Sequence, residues 1–312
     1  MRIGFIGGGN ISKFHLVALR NNNFSVQAIG SRKNSLRCKK FAQDNELINF
    51  YCKGGWEEVI EKDVDAFSLC IDTSKTSEIL FKILDLGKPV LVEKPVAWNL
   101  SELDPICHHV NSEKVFVAYN RRFYKVVNYA KLFCDRSEGG SVNINIPDSK
   151  QGKNRFLSNG CHIIDLARYI LGDFEILKKI IRNNHETNEM EILTALCSNQ
   201  KWSITINAHS LIPANFGITI NSNKEVFELL PIEKFSLYEG LEIIEPNDEY
   251  PLRRYLPKIV KTKFEDSEFK PGFNNMYRQF YQFIKTNYKQ TENSVSINEA
   301  RSTLKKCIEL IN

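Results

Sequence analysis

The sequence predicts an α/β chain in two halves, a doubly wound parallel sheet followed by a mainly antiparallel one. Short apolar runs alternate with helical patterns as far as residue 118, and a glycine turn follows the first run. After residue 120, strand-like runs succeed one another without long helices between them. At 312 residues the chain is longer than single cores usually grow, so two domains of roughly 120 to 190 residues are expected. The boundary is placed at Tyr119 and Asn120, giving 1–119 and 120–312.

Ile3 to Ile6 is the first apolar run; Gly7-Gly8-Gly9-Asn10-Ile11-Ser12 and a helical pattern through Phe14, Leu16, Val17, Ala18 and Leu19 follow it. Strand, glycine turn and helix in that order suit a dinucleotide. Gly7 makes the tight turn, Gly9 lets backbone approach a pyrophosphate, and the helix N-terminus favours its charge. Ser12 holds the third glycine position and is small enough to sit against the strand.

A second strand, Val26 to Ile29, ends in Gly30-Ser31-Arg32-Lys33. About 20 residues past the glycines, NAD-preferring folds tend to place an acidic residue on the ribose diol. Here Ser31 and Arg32 offer a hydroxyl and a cation, which favours NADP over NAD; alternatively, Arg32 and Lys33 open a solvated helix over 34–43. Asp63 to Ile71 is the next strand, and Ser77 to Leu86 a helix stopped by Gly87. Val90 to Val92 then leads into Glu93-Lys94-Pro95, a charged turn where a parallel sheet ends and a cleft can open. Ser101 to Val110 and Val115 to Ala118 complete the first half.

Arg121-Arg122-Phe123 opens a helix through Leu132, and Ser203 to Asn207, Gly217 to Asn221 and Lys224 to Leu229 read as strands. Gly160 to Gly172 is a helix on which His162 and Asp165 share a face near its start, away from Leu166 and Ile170. By position alone, Asp165 is a helix-dipole residue and His162 a satisfied histidine. Residues 245–273 form an irregular stretch rich in proline and cations, including Arg253, Arg254 and Lys270. Such loops carry ligand contacts or are solvated basic segments. Met276 to Tyr288 is an amphipathic helix, and Ser296-Ile297-Asn298-Glu299 is a capping box before the last one.

The formal charge is only +5, with Lys and Arg interspersed among Asp and Glu, so no nucleic-acid partner is expected. The eight cysteines include no C-x-x-C pair and read as reduced thiols of a cytoplasmic protein; no metal site is expected. No apolar run approaches the roughly 20 residues needed to span a bilayer, and Met1 leads straight into a strand, so a soluble, intracellular protein is expected.

Taken together, the glycine turn, Ser31-Arg32, Glu93-Lys94-Pro95, Arg121-Arg122-Phe123 and Gly160-x-His162-x-x-Asp165-Leu166 resemble the Gfo/Idh/MocA oxidoreductases over nearly the whole chain. The resemblance implies a Rossmann domain followed by an α/β domain whose open, mainly antiparallel sheet mediates homodimers or homotetramers. It implies a nicotinamide cofactor, NADP or NAD, and a sugar, inositol or nucleotide-sugar hydroxyl as substrate. Gly7, Gly9, Asn10, Ile11, Ser31, Arg32, Asp72, Thr73, Glu93, Lys94 and Pro95 would then contact the cofactor, with Lys94-Pro95 a cis bond. Lys94 would also hydrogen-bond the reacting hydroxyl and stabilise its developing charge. His162 would be the acid/base, an imidazole of pKa near about 6.5 being able to take a carbinol proton at neutral pH. Arg122 and Asp165 would be substrate contacts.

Two segments depart from the family pattern. Ser158 stands where many members carry an aspartate four residues before the histidine. Asp72 and Ser77 replace the threonine and histidine of the turn beside the cofactor. The segment from Leu229 to Phe273 resembles a branch tied to bacterial surface-polysaccharide and nucleotide-sugar biosynthesis, in which Arg253, Arg254 or Lys270 would face a phosphate or carboxylate. The competing reading is a dinucleotide-binding sensor or assembly subunit without turnover.

Overall fold

The computed structural model describes residues 1–266 and 269–312. The chain divides into two compact units, Met1–Phe123 with Lys270–Ile308, and Tyr124–Phe269 with Glu309–Asn312.

In the first unit, among the described residues, five parallel strands form one sheet: β1 (Arg2–Gly7), β2 (Ser25–Gly30), β3 (Ala66–Cys70), β4 (Val90–Val92) and β5 (Val115–Val117). β3, β4 and β5 are buried along their whole length, as a sheet covered on both faces requires. Helices α1 (Ser12–Arg20), α2 (Leu36–Asp44), α3 (Trp56–Ile60), α4 (Thr73–Asp85) and α5 (Leu100–Cys107) connect the strands. The order β2-β1-β3-β4-β5 reverses direction between β1 and β3, the point outside which doubly wound sheets hold ligands. Register brings the strand ends level there, with Gly7 opposite Cys70 and Ile6 opposite Gly30. α4 starts earlier than its apolar periodicity suggests, because Asp72 caps it by accepting from the Ser74 amide at 3.0 Å.

The second unit opens with α6 (Lys125–Arg136) and β6 (Gly140–Asp148), then α7 (Lys153–Arg155), a π-helical turn Phe156–Gly160 and α8 (Cys161–Leu171). Seven strands follow: β7 (Glu175–Asn183), β8 (Met190–Ser198), β9 (Trp202–Ser210), β10 (Gly217–Ser222), β11 (Glu225–Leu229), β12 (Lys234–Ile244) and β13 (Arg254–Phe264). With β6 they form an eight-stranded sheet ordered β13-β12-β11-β10-β6-β9-β8-β7, among the described residues. Among the described residues, only the β6/β9 pair of this sheet is parallel. On β8, Leu193, Ala195 and Cys197 point into the core while Leu196 is exposed, so one face is packed and the other open. Phe133 of α6 packs on Phe227 of β11, ring centroids 5.3 Å apart.

Two expectations are corrected. The expected irregular segment contains β13, the second strand of a long hairpin whose first strand, β12, precedes the segment. Its prolines and lysines masked a strand, yet Pro257 is tolerated because β13 is the edge strand and owes no hydrogen bond on its outer side. The last helices, α9 (Phe273–Lys285) and α10 (Ile297–Ile311) up to Ile308, belong to the first unit rather than to 120–312. α9 turns Tyr277, Phe280 and Phe283 onto Phe24 and Phe116 of the first unit, with centroid separations of 5.5 to 6.0 Å. The capping box begins α10 as expected: the Glu299 amide donates to Ser296 Oγ (3.2 Å) and the Ser296 amide to Glu299 Oε2 (3.1 Å).

Candidate functional site

The strand ends of the first unit open a cleft of about 830 Å³. Gly7 to Ile11 form its floor, Ser31 and Arg32 one side, and Cys70 to Asp72 with the first turns of α4 the other. The glycines are there for space. A Cβ on Gly7 would lie 2.7 Å from the Cys70 carbonyl oxygen and 2.9 Å from Ser12 Oγ, and one on Gly8 would lie 2.9 Å from Cys38 Cα. A Cβ on Gly9 would meet nothing nearer than Arg37 at 3.8 Å, so its absence keeps cleft space open rather than relieving a clash. Ser12 is fully buried, and its Oγ accepts from the Gly9 amide at 3.0 Å, which fixes the turn at the start of α1. A glycine floor, a helix N-terminus and a cation-bearing wall fit a dinucleotide.

Gly7, Gly9, Asn10, Ile11, Ser31, Arg32 and Asp72 all line this cleft; Thr73 does not, since the wall passes from Asp72 to Ser74 and Lys75. Hydrogen bonds from Ser74 to Asp72 hold that carboxyl below its ordinary range. The sequence reading missed Arg37. It lines the same wall, and its guanidinium donates to Asn10 Oδ1 at 2.9 Å, linking α2 to the glycine turn. The available signal was an arginine in the first turn of the helix that Ser35 caps.

Glu93, Lys94 and Pro95 follow β4, outside the cleft wall, and the Lys94-Pro95 peptide is cis. Glu93 accepts from His15 Nε2 at 2.6 Å. Burial disfavours its charge, yet the His15 bond and charge, with help from Lys94, bring Glu93 below the usual carboxylate value. Lys270 also belongs to the first unit; its ammonium lies 4.6 Å from the Phe14 ring centroid. Burial and the neighbouring cations Lys94, Arg121 and Lys13 hold its pKa below the ordinary lysine value, against the pull of Glu93.

Arg122 is 3% exposed and donates to Glu299 Oε1 at 3.1 Å, tying the end of the parallel sheet to α10. That is a framework role, with almost no guanidinium surface left for a substrate.

In the second unit, the Ser158 hydroxyl lies in the π-helical turn and donates to the Arg155 carbonyl at 3.1 Å. Gly160 permits this turn, because a Cβ there would sit 2.9 Å from the Phe156 ring. His162 follows on α8, half-buried. Asp165, expected on a polar face, is instead 1% exposed among the packed residues of α8. Beside the turn, Asp148 accepts from Arg155 at 2.9 Å and from Asn159 at 2.7 Å. Arg253 and Arg254 lie at the hairpin end. Arg253 is paired with Glu245 at 3.0 Å, and Arg254 stacks 4.3 Å from the Tyr250 ring centroid. Among the described residues, no group of His, Cys, Asp or Glu is placed to hold a metal ion, and no helix is long and apolar enough to cross a membrane.

Residues 1–121 match the model of the Gfo/Idh/MocA oxidoreductase family, described as having an NAD-binding Rossmann fold. With the glycine floor at the switch point, residues 1–121 are similar to the NAD-binding Rossmann domain of that family.

The chain is 28% identical over 189 residues to myo-inositol 2-dehydrogenase of Thermotoga maritima, covering 55% of each protein. It spans about half the length of the curated relatives it matches. Its fold is that of a dehydrogenase from Clostridium difficile (TM-score 0.81, 19% identity, 100% of this chain and 99% of the other). UDP-N-acetylglucosamine 3-dehydrogenase from Acidithiobacillus ferrooxidans shares it too (TM-score 0.78, 14% identity, 99% and 96%).

Proposed function

We propose that this protein is a Gfo/Idh/MocA oxidoreductase that depends on NAD(P) and acts on a hydroxyl or keto carbon in the ring of a sugar or nucleotide sugar. NADP is the favoured dinucleotide. The observation that carries the reading is the glycine-floored cleft at the switch point, with Ser31, Arg32 and Arg37 on its wall. A bound nicotinamide supplies the hydride acceptor or donor. The glycine turn and α1 bind the pyrophosphate, and Ser31, Arg32 and Arg37 provide a hydroxyl and two guanidinium groups for a 2′-phosphate. Lys94 stabilises negative charge on the reacting oxygen; His162, in the second unit, is the acid/base that the family resemblance implies. The sugar-like substrate is supported by the relative named myo-inositol 2-dehydrogenase. A place in surface-polysaccharide biosynthesis and a homodimer or homotetramer built on the open face of the second sheet belong to the same proposal.

The test is calorimetric titration with NADPH and NADH, followed by nicotinamide absorbance on a panel of sugars, inositols and nucleotide sugars. Tighter NADPH binding and turnover on one class are expected. Tighter NADH binding contradicts the NADP preference. Binding without turnover on any member favours the second reading, a dinucleotide-binding sensor, for which the hydrogen-bonded Ser158 in place of a charged aspartate speaks.

A further inference from the structure

A buried polar chain lies within the first unit beneath the Glu93-Lys94 turn. His15, on α1, is fully buried. Its Nε2 lies 2.6 Å from Glu93 Oε1, and its Nδ1 lies 2.9 Å from the Tyr277 hydroxyl of α9. That hydroxyl is 2.7 Å from Ser68 Oγ on β3, which is 3.4 Å from Cys70 Sγ. The second oxygen of Glu93 accepts from the backbone amide of Lys94 at 3.2 Å. Phe273 closes the group edge-on, its ring centroid 5.0 Å from that of His15.

The hydroxyls can be satisfied in two directions. If His15 is charged, Nδ1–H donates to Tyr277, Tyr277 to Ser68 and Ser68 to Cys70. If His15 is neutral with its proton on Nε2, facing Glu93, every one of those donors reverses. Glu93 decides between them. Its side chain is only 13% exposed and it sits at the distance of a charge-assisted bond; a carboxylate so nearly removed from water is costly unless a cation pairs with it. The groups facing the imidazole are Glu93 after β4, Ser68 and Cys70 on β3, and Tyr277 on α9. Lys94 and Lys270 act on the same carboxylate from the other side. Burial pulls the imidazole down, and Cys70 and Glu93 outweigh it, raising its pKa to about 10.

We infer that His15 is a positioning residue: as an imidazolium it clamps Glu93 from inside the first unit and so fixes the turn that presents Lys94. This inference rests on the role given to Lys94 above, but its test reads His15 and Lys94 directly.

The experiment uses the full chain. Nitrogen NMR of the histidine rings should show His15 doubly protonated at pH 8, and Tyr277→Phe, which removes the acceptor from Nδ1, should lower its titration midpoint. His15→Gln should change the rate of labelling of Lys94 by pyridoxal phosphate with borohydride, read by mass spectrometry, at least about threefold at pH 8, because the turn that carries Lys94 then loses the bond that fixes it. Labelling of other lysines and NADPH affinity should stay within about twofold. A neutral His15 at pH 8 in the unmodified protein, a measurement that needs no variant to fold, would overturn the inference; so would unchanged Lys94 labelling in a folded His15→Gln. Lys94→Ala that turns over normally would sink the catalytic reading of Lys94 and leave these two results standing.

Discussion

Gly7 and Gly9 lie two residues apart in one turn, and the structure predicts opposite consequences for the same substitution. In Gly7→Ala the new methyl would sit 2.7 Å from the Cys70 carbonyl oxygen and 3.1 Å from Cys70 Cβ, both on β3. Backbone cannot swing aside as a side chain can, so β1 and β3 must part, at the roughly 1–3 kcal/mol typical of overpacking. In Gly9→Ala the nearest atom is the end of the Arg37 side chain at 3.8 Å, and the residue does not need a positive φ. The fold should tolerate it, or gain up to about 1 kcal/mol through a less flexible unfolded chain. Its methyl projects into cleft space, however, so NADPH affinity should fall at least about tenfold, or roughly 1.4 kcal/mol. Thermal melts and calorimetry separate the effects: Gly7→Ala should melt several degrees lower, while Gly9→Ala should melt normally and bind poorly. A Gly9→Ala protein that binds NADPH with unchanged affinity would refute the assignment of the cleft.

Three further outcomes follow from other parts of the molecule. Arg37→Ala and Arg32→Ala should each weaken NADPH by about 5- to 30-fold, as expected for loss of a charge-assisted hydrogen bond, and NADH by less than about threefold; equal losses for the two would remove the 2′-phosphate from that wall. Because the His15 pKa is raised from 6.5 to about 10 by folding, its contribution to stability is complete below 6.5 and is lost as pH rises towards 10. Melting temperature should therefore decline across that window, and His15→Gln should flatten the decline. Leu196, 48% exposed on the open face of the second sheet, should lie in a self-association surface, so sedimentation should show a dimer or tetramer that Leu196→Glu dissociates.

Much of the first unit was legible because its chemistry is local. The Gly7 to Ser12 turn, the acid-free end of β2 and the Glu93-Lys94-Pro95 turn are contiguous residues whose places at the strand ends follow from strand order. The Ser296/Glu299 box was equally plain, since both partners sit within one helical turn. Arg37 was missed because its importance depends on α2 bringing it back to Asn10, which no spacing within the sequence displays. His15 carried no signal in the sequence; its meaning comes from Glu93, 78 positions away, and Tyr277, 262 away. Arg122 looked like a substrate contact until its partner Glu299 became visible. For α9, an amphipathic stripe shows that a helix covers something but not which sheet, and the aromatic contacts with Phe24 and Phe116 supply that answer. Proline and lysine in β13 looked like loop chemistry because edge strands tolerate both.

The central claim is that Lys94 acts on the reacting oxygen of a substrate beside a bound nicotinamide. Its most direct test is Lys94→Ala, with NADPH affinity and nicotinamide absorbance change measured on the substrate that the unmodified protein turns over. NADPH affinity within about threefold of the original with turnover lowered at least a hundredfold, a loss of about 2.7 kcal/mol of transition-state stabilisation, is the expected result. Turnover at the original rate would contradict it.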